Sequence, residues 1–174
     1  GLPRASWGAF LAHAGLGIAV AGMTGSSIYG AEAIERLARG DSLEVAGYTL
    51  TLDGVEEVEG PNYIAVRAHV SAAVDGRRIA VLTPERRFYP AAGMPTTEVA
   101  IRTNMLADLY VALGDLHDDG TWTIRTHYNP LVPWIWIGCL VMTGGGLVSL
   151  SDRRLRIGVP VRRRVPAGVP EPAE

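Results

Sequence analysis

Of the side chains able to ligate a metal or move a proton near neutral pH, this sequence holds four histidines and one cysteine. One of them, His13, lies in the apolar run "LAHAGLGIAV", within a stretch from Trp7 to Tyr29 that contains no Asp, Glu, Lys or Arg. A neutral imidazole in hydrocarbon carries one donor and one acceptor, and leaving either unpaired costs on the order of a few kcal/mol. Ionisable groups inside such runs are therefore rare and face a protein interior or a functional site. Two uses of His13 follow: a hydrogen bond to a neighbouring helix, or coordination of a haem iron, which neutral imidazole does well. One turn to either side stand Ala9 and Gly17, which leave the helix surface shallow around the ring, as a flat porphyrin requires. A different face, Gly8-Ala12-Gly15-Ala19-Gly22, has the small side chains expected of tight packing against a second helix. On the residues alone, packing and coordination both stay open for His13.

The remaining histidines carry weaker signals. His69 lies on the polar side of an alternating run, where simple exposure is expected, and His117 precedes an Asp-Asp-Gly turn with no second ligand at useful spacing. His127 falls where the middle of the chain gives way to the second apolar run, as an interfacial contact or a haem-side group. The lone Cys139 excludes a disulfide framework, a CxxC redox pair and a zinc site of that kind. No P-loop, dinucleotide fingerprint, nucleophile elbow, HExxH or internal repeat is present. A formal net charge of −2 points to no nucleic-acid partner. All the basic residues are arginine, which we read as a genomic bias.

The elements that must position His13 are two apolar spans. A helix from Trp7 to Tyr29 would be roughly 33 Å long, enough for a ~30 Å hydrocarbon core. Arg4 could head a signal peptide, but the apolar part of such a peptide is ~7–15 residues and this run is longer, so a membrane span is expected. The second span is "PLVPWIWIGCLVMTGGGLVSL", residues 130–150. Pro130 and Pro133 suit a first helical turn, where a missing N–H costs little. Trp134 and Trp136 suit an interfacial belt at that end. Gly144, Gly145 and Gly146 allow close approach of another backbone, or loosen the helix. This span has no histidine and its Met142 is a poor ligand, so a six-coordinate haem on His13 needs its other ligand from a different segment. Arg153, Arg154, Arg156 and Arg162–Arg164 follow, and arginine in a short flank marks the cytoplasmic side. Both chain ends are then cytoplasmic and the segment between the spans periplasmic. The final "PAGVPEPAE" has the composition of a disordered tail. With Gly1-Leu2-Pro3 in place of an initiating methionine, the chain is expected to be the C-terminal piece of something longer.

The middle reads as strands. "IAVRAHVSAAV" places Ile64, Val66, Ala68, Val70, Ala72 and Val74 on one face, with Arg67, His69 and Ser71 on the other. Asp75-Gly76 is a favoured hairpin turn leading into "RRIAVLTP". "SLEVAGYTLTL", "TEVAIRT" and "TWTIRTHY" are further strand candidates, and "NMLADLYVALGDL" fits a strand or a short helix. A small antiparallel β-domain or barrel results.

Several stretches together resemble the C-terminal portion of the CcmF family, the membrane haem-lyase component of bacterial cytochrome c maturation (system I). They are "WGAFLAHAGLGIAVAG", "GPNYIAV", "ERRFYP", "TEVAIRTNMLADLYVALGD" and "YNPLVPWIWIGCLVMTGGGLVSLSDRR", in the family's order over nearly the whole chain. The resemblance implies a protein that joins haem through thioether bonds to the CxxCH motif of apocytochrome c on the periplasmic side. It implies haem delivery by a CcmE-type chaperone and work with CcmH- and CcmI-type subunits. It also implies a haem b held between two histidines of transmembrane helices, which keeps the incoming haem iron reduced. His13 matches the second of these histidines, and the first would lie upstream. The family's tryptophan-rich haem-handling segment and its two flanking periplasmic histidines have no counterpart here. The lyase activity is therefore expected of the intact parent complex and not of this chain alone.

The expected fold class is an α+β membrane protein with two transmembrane helices flanking a β-rich periplasmic domain. Its parts are a first helix within 1–29, a periplasmic domain at 30–129, a second helix at 130–150 and an Arg-rich cytoplasmic tail at 151–174. The expected function is the C-terminal part of a haem lyase subunit of the bacterial inner membrane. His13 serves as haem b axial ligand, Ala9 and Gly17 give clearance, and the β-domain belongs to the ligation assembly. Its partners are the remainder of CcmF, the subunits named above, apocytochrome c and membrane lipid. The rival is a non-catalytic two-span scaffold that presents the β-domain to partner proteins, with His13 merely hydrogen-bonded; a sensor-like module is weaker, since only an arginine-rich tail follows the second span.

Overall fold

The computed structural model describes residues 2–152; the arginine-rich tail and its terminal Pro-rich stretch lie outside the described residues. Helix α1 (Arg4–Tyr29) leads directly into ten strands, and helix α2 (Val132–Leu150) follows the last of them. The strands are β1 (Ala31–Leu37), β2 (Ser42–Val45), β3 (Tyr48–Glu59), β4 (Ile64–Val74), β5 (Arg77–Leu82), β6 (Glu85–Tyr89), β7 (Met94–Glu98), β8 (Ala100–Thr103), β9 (Ala107–Leu116) and β10 (Trp122–Pro130).

They form two open antiparallel sheets, so the domain is a sandwich and not a barrel. One sheet runs β1-β10-β9-β8, the other β2-β3-β4-β6-β7, with β5 beside the second half of β4. Leu43, Val45, Leu50, Leu52, Ala68, Val70, Ala72 and Leu82 from one sheet meet Leu109, Val111, Leu113 and Ile124 from the other in a single buried core. The segment that fits strand or helix is strand β9, with Ala107, Leu109, Val111 and Leu113 buried at period two. Asp75 and Gly76 both have positive φ (50° and 72°), the backbone of a two-residue hairpin turn. On β4 the expected inner face holds at Ala68, Val70 and Ala72, whereas Ile64 is exposed. Ser71, expected outside, is buried because its hydroxyl donates to Asp53, which sits in the bulge where β3 shifts register.

The second helix begins later than its prolines indicate. Pro133 is in its first turn, but Pro130 closes β10, where it pairs with Ala107. Leu131 then turns the chain with φ 60°, and its N–H donates to the Leu106 carbonyl at 2.7 Å.

The two helices pack along the small-residue stripe of α1. A Cβ added to Gly15 would lie 2.5 Å from the Met142 nitrogen and 2.6 Å from the Gly138 oxygen; one added to Gly8 would lie 2.5 Å from the Gly145 oxygen. Gly22 faces Ile135 and Leu131 further along. Of the triplet in α2 only Gly145 allows this approach, since Gly144 and Gly146 meet nothing within 4 Å. At the far end the Ala5 N–H donates to the Asp152 carboxylate at 3.0 Å, capping the first turn of α1 from beyond the end of α2. Away from this seam both helices stay apolar and exposed, as at Phe10, Leu16, Trp136, Leu140 and Leu147. Both are long and apolar enough to cross a membrane.

Candidate functional site

His13 lies on the flank of α1 away from α2, about 140° around the helix from the glycine stripe at ~100° per residue. Its ring is exposed, and Nδ1 is 2.7 Å from the Ala9 carbonyl oxygen one turn back. A carbonyl can only accept, so Nδ1 donates, and in the neutral ring Nε2 then keeps its lone pair. Metal-ligating histidines are held in this way, with one ring nitrogen tied to an oxygen and the other left to coordinate. Through its carbonyl Ala9 also holds the orientation of the ring. Gly17, one turn on, would meet nothing within 4 Å if given a Cβ, so the surface beside the imidazole is open. An oriented imidazole beside such a clearing fits a planar group ligated through Nε2.

His13 sits deep along the helix. The neighbouring Ala12 packs against Gly145, in the half of α2 far from the sandwich. Tyr29, where the sandwich begins, is sixteen residues on, or ~24 Å at the helical rise. Met142 packs by its side chain against the Gly15 position, on the α2-facing seam, and so does not share His13's flank.

The other histidines are in the sandwich and do not join it. His69 Nε2 is 3.0 Å from Glu56 Oε1, and His117 Nε2 is 2.8 Å from the Thr123 hydroxyl. His127 Nε2 is 3.6 Å from Glu32 Oε1, with its ring edge-on to Tyr110 at 5.3 Å. Among the described residues no group of three or more His, Cys, Asp or Glu side chains is placed to hold a metal ion.

Sequence reasoning missed a charged cluster on the sandwich. Glu85, only 8% exposed in its side chain, takes Arg67 Nε at 2.7 Å on one carboxylate oxygen and Arg87 Nε at 2.8 Å on the other. Burial pushes the Glu85 carboxyl up, but hydrogen bonds from Arg87 and Arg67 and their charges outweigh it and hold it below the ordinary range. Arg87 also lies over the Tyr63 ring, 4.5 Å from its centre, and Tyr63 meets Tyr89 at 5.6 Å. The cluster joins the "GPNYIAV" and "ERRFYP" stretches through the β4–β6 register, which no local pattern reveals.

A family model described as the CcmF C-terminal beta-sandwich matches residues 28–130. The cytochrome c-type biogenesis protein ccl1 of Rhodobacter capsulatus is 46% identical over 162 residues, 93% of this chain and 25% of that protein. CycK of Bradyrhizobium diazoefficiens is 42% identical over 174 residues, 100% of this chain and 26% of the relative, and CcmF of Escherichia coli is 39% identical over 163, 94% and 25%. This chain therefore spans about a quarter of the length of the relatives it matches. A solved structure named Cytochrome c Heme Lyase CcmF shares the fold with a TM-score of 0.69, at 23% identity, over 85% of this chain and 25% of that one.

Proposed function

The chain belongs to the CcmF family, and we propose that it forms the C-terminal part of a membrane haem lyase subunit of cytochrome c biogenesis, with His13 as one axial ligand of a haem b. The two apolar helices and the family support a protein of the inner membrane. We place the sandwich in the periplasm and both chain ends in the cytoplasm, a topology supported by the arginines after α2.

One observation carries the ligand reading. The Nδ1–H of His13 is held by the Ala9 carbonyl, which leaves Nε2 free on an open flank of a membrane helix. When bound, the haem would supply a one-electron couple at its iron. The work of this chain is to hold one imidazole in one orientation and at a fixed height. The Ala9 carbonyl holds the orientation, Gly17 leaves room for the plane, and the glycine seam with α2 holds α1 in place. The other axial ligand comes from the remainder of CcmF. With ~24 Å of helix between His13 and the sandwich, the sandwich's role is toward partners: the CcmE-type chaperone, CcmH- and CcmI-type subunits and apocytochrome c.

The test is the optical spectrum of the full complex, purified with and without His13→Ala. Loss or marked weakening of the b-type bands in the variant is expected. If they survive unchanged the ligand assignment is wrong, and the two helices act as anchors for a scaffold.

A further inference from the structure

We infer that the β8–β9 turn is a third membrane contact, in which Met105 and Leu106 enter the lipid at the level where α2 begins and fix the tilt of the sandwich. The inference rests on α1 and α2 being membrane spans.

Strand-connecting turns are normally polar, yet this one carries two bulky apolar side chains at its tip. Met105 is 64% exposed and Leu106 66%. The turn is firmly built. Asn104 Oδ1 accepts the N–H groups of Leu106 at 2.7 Å and Ala107 at 2.8 Å, and the Asn104 N–H donates to the Ala107 carbonyl at 3.0 Å. The two apolar side chains are thus presented by a fixed backbone.

Its height is set by two bonds to the root of α2. The Leu131 N–H donates to the Leu106 carbonyl at 2.7 Å, and the Trp134 indole N–H donates to the Met105 carbonyl at 2.9 Å. On the other side Leu131 packs against Gly25 of α1, and α1 runs one further turn to Tyr29, or ~6 Å. The tip therefore lies beside the last uncharged turns of α1, at the sandwich end of the span. Its partner indole, with an apolar body and a satisfied N–H, is the side chain found at membrane–water boundaries.

Lipid is the occupant that this position favours. The tip is exposed and apolar at the root of two helices long and apolar enough to cross a membrane, so the medium beside it at that height is lipid. A two-helix stem alone would let the sandwich rock about its root. A third point of insertion, displaced sideways across β10 and β9, resists that motion.

Depth-dependent quenching tests this in the full parent protein, with Cys139 and every other cysteine of the parent replaced by serine and reconstituted in phosphatidylcholine–phosphatidylglycerol vesicles carrying spin-labelled acyl chains. Single-cysteine variants Leu106→Cys, Leu140→Cys and Asp118→Cys each carry an environment-sensitive fluorophore. The label at 106 is expected to shift to the blue and to lose fluorescence most strongly to spin labels near the headgroups. The label at 140 should be quenched by deep spin labels, and the label at 118 by none. Water-like emission at 106 beside a quenched 140 overturns the inference while the spans stand. Blue-shifted emission at 106 without lipid quenching means that protein covers the tip, which also overturns it. An unquenched 140 removes the spans themselves, and the inference with them.

Discussion

Adding one methyl group at Gly15 or Gly138 should force the two helices apart, and the cost can be worked from the seam. A Cβ on Gly15 falls 2.5 Å from the Met142 nitrogen and 2.6 Å from the Gly138 oxygen; a Cβ on Gly138 falls 2.5 Å from the Ala19 nitrogen and 2.6 Å from the Gly15 oxygen. Carbon–oxygen distances at helix interfaces settle at about 3.3–3.6 Å, so the backbones must withdraw by roughly 1 Å. Carbonyls this close to the facing Cα atoms make weak Cα–H···O contacts, and losing the reciprocal pair costs about 1 kcal/mol. A gap of that width also forfeits a quarter to a half of the dispersion well of each atom pair, or about 0.5 kcal/mol over some ten pairs. The sum is about 1.5 kcal/mol, on the order of a 10-fold shift in the helix-pairing equilibrium. Alanine's greater helix propensity works the other way, by up to ~1 kcal/mol in water, and it is isolated by Gly144→Ala and Gly146→Ala, whose Cβ atoms meet nothing within 4 Å. Titration of the micelle-solubilised protein with sodium dodecyl sulfate, followed by tryptophan fluorescence, measures the four variants side by side. If the seam variants unfold at the same detergent fraction as the two controls, the close-approach argument is refuted.

Two further substitutions test interactions that join distant parts of the chain. Asp152→Ala removes the acceptor for the Ala5 N–H in a helix whose own N-cap, Pro3, offers no side-chain bond. The expected loss is about 1 kcal/mol, seen as faster amide exchange at Ala5 and Ser6 with the strands of the sandwich still protected. Glu85→Gln should cost about 2 kcal/mol at pH 7, less than the ~3–5 kcal/mol of a fully buried pair because both arginines remain partly in water. The folded-state pKa of Glu85 is held below its unfolded value, so its stabilisation is complete above the unfolded value and is lost as the pH falls through the folded one. The gap between wild type and Glu85→Gln should therefore narrow in acid, and a gap independent of pH in denaturant titrations would contradict the assignment.

The parts legible in the sequence were those set by a local period. Strand β4 could be read because apolar residues alternate over Ile64–Val74, and its turn because Asp75-Gly76 accepts positive φ at both positions. The turn at Ala46-Gly47 has the same backbone, with φ 47° and 80°, yet alanine gives no such signal. In "NMLADLYVALGDL" Leu106, Leu109 and Leu113 fall at helical spacing while Leu109, Val111 and Leu113 alternate. Only pairing with β8 and β10 decides for strand. The helical period likewise separated the glycine stripe from His13. The bond that orients His13 was not legible, because its acceptor is a backbone carbonyl that no residue type announces. The Arg67-Glu85-Arg87 cluster and the Asp152 cap were hidden for another reason, since tertiary pairing alone brings their members together.

If His13 ligates a haem as proposed, the same geometry constrains where a second ligand would come from. The flank of α1 centred on Gly15 is filled by α2 at backbone contact, which leaves no room there for a porphyrin. Helix α2 offers no histidine, and its Met142 is committed to the Gly15 position. A haem held by His13 would therefore need its other ligand from a helix that is not α2. The Ala9 carbonyl would keep the ring oriented and the glycine seam would keep its height. Widening the seam at Gly15 should then disturb the haem spectrum, although Gly15 never faces the haem.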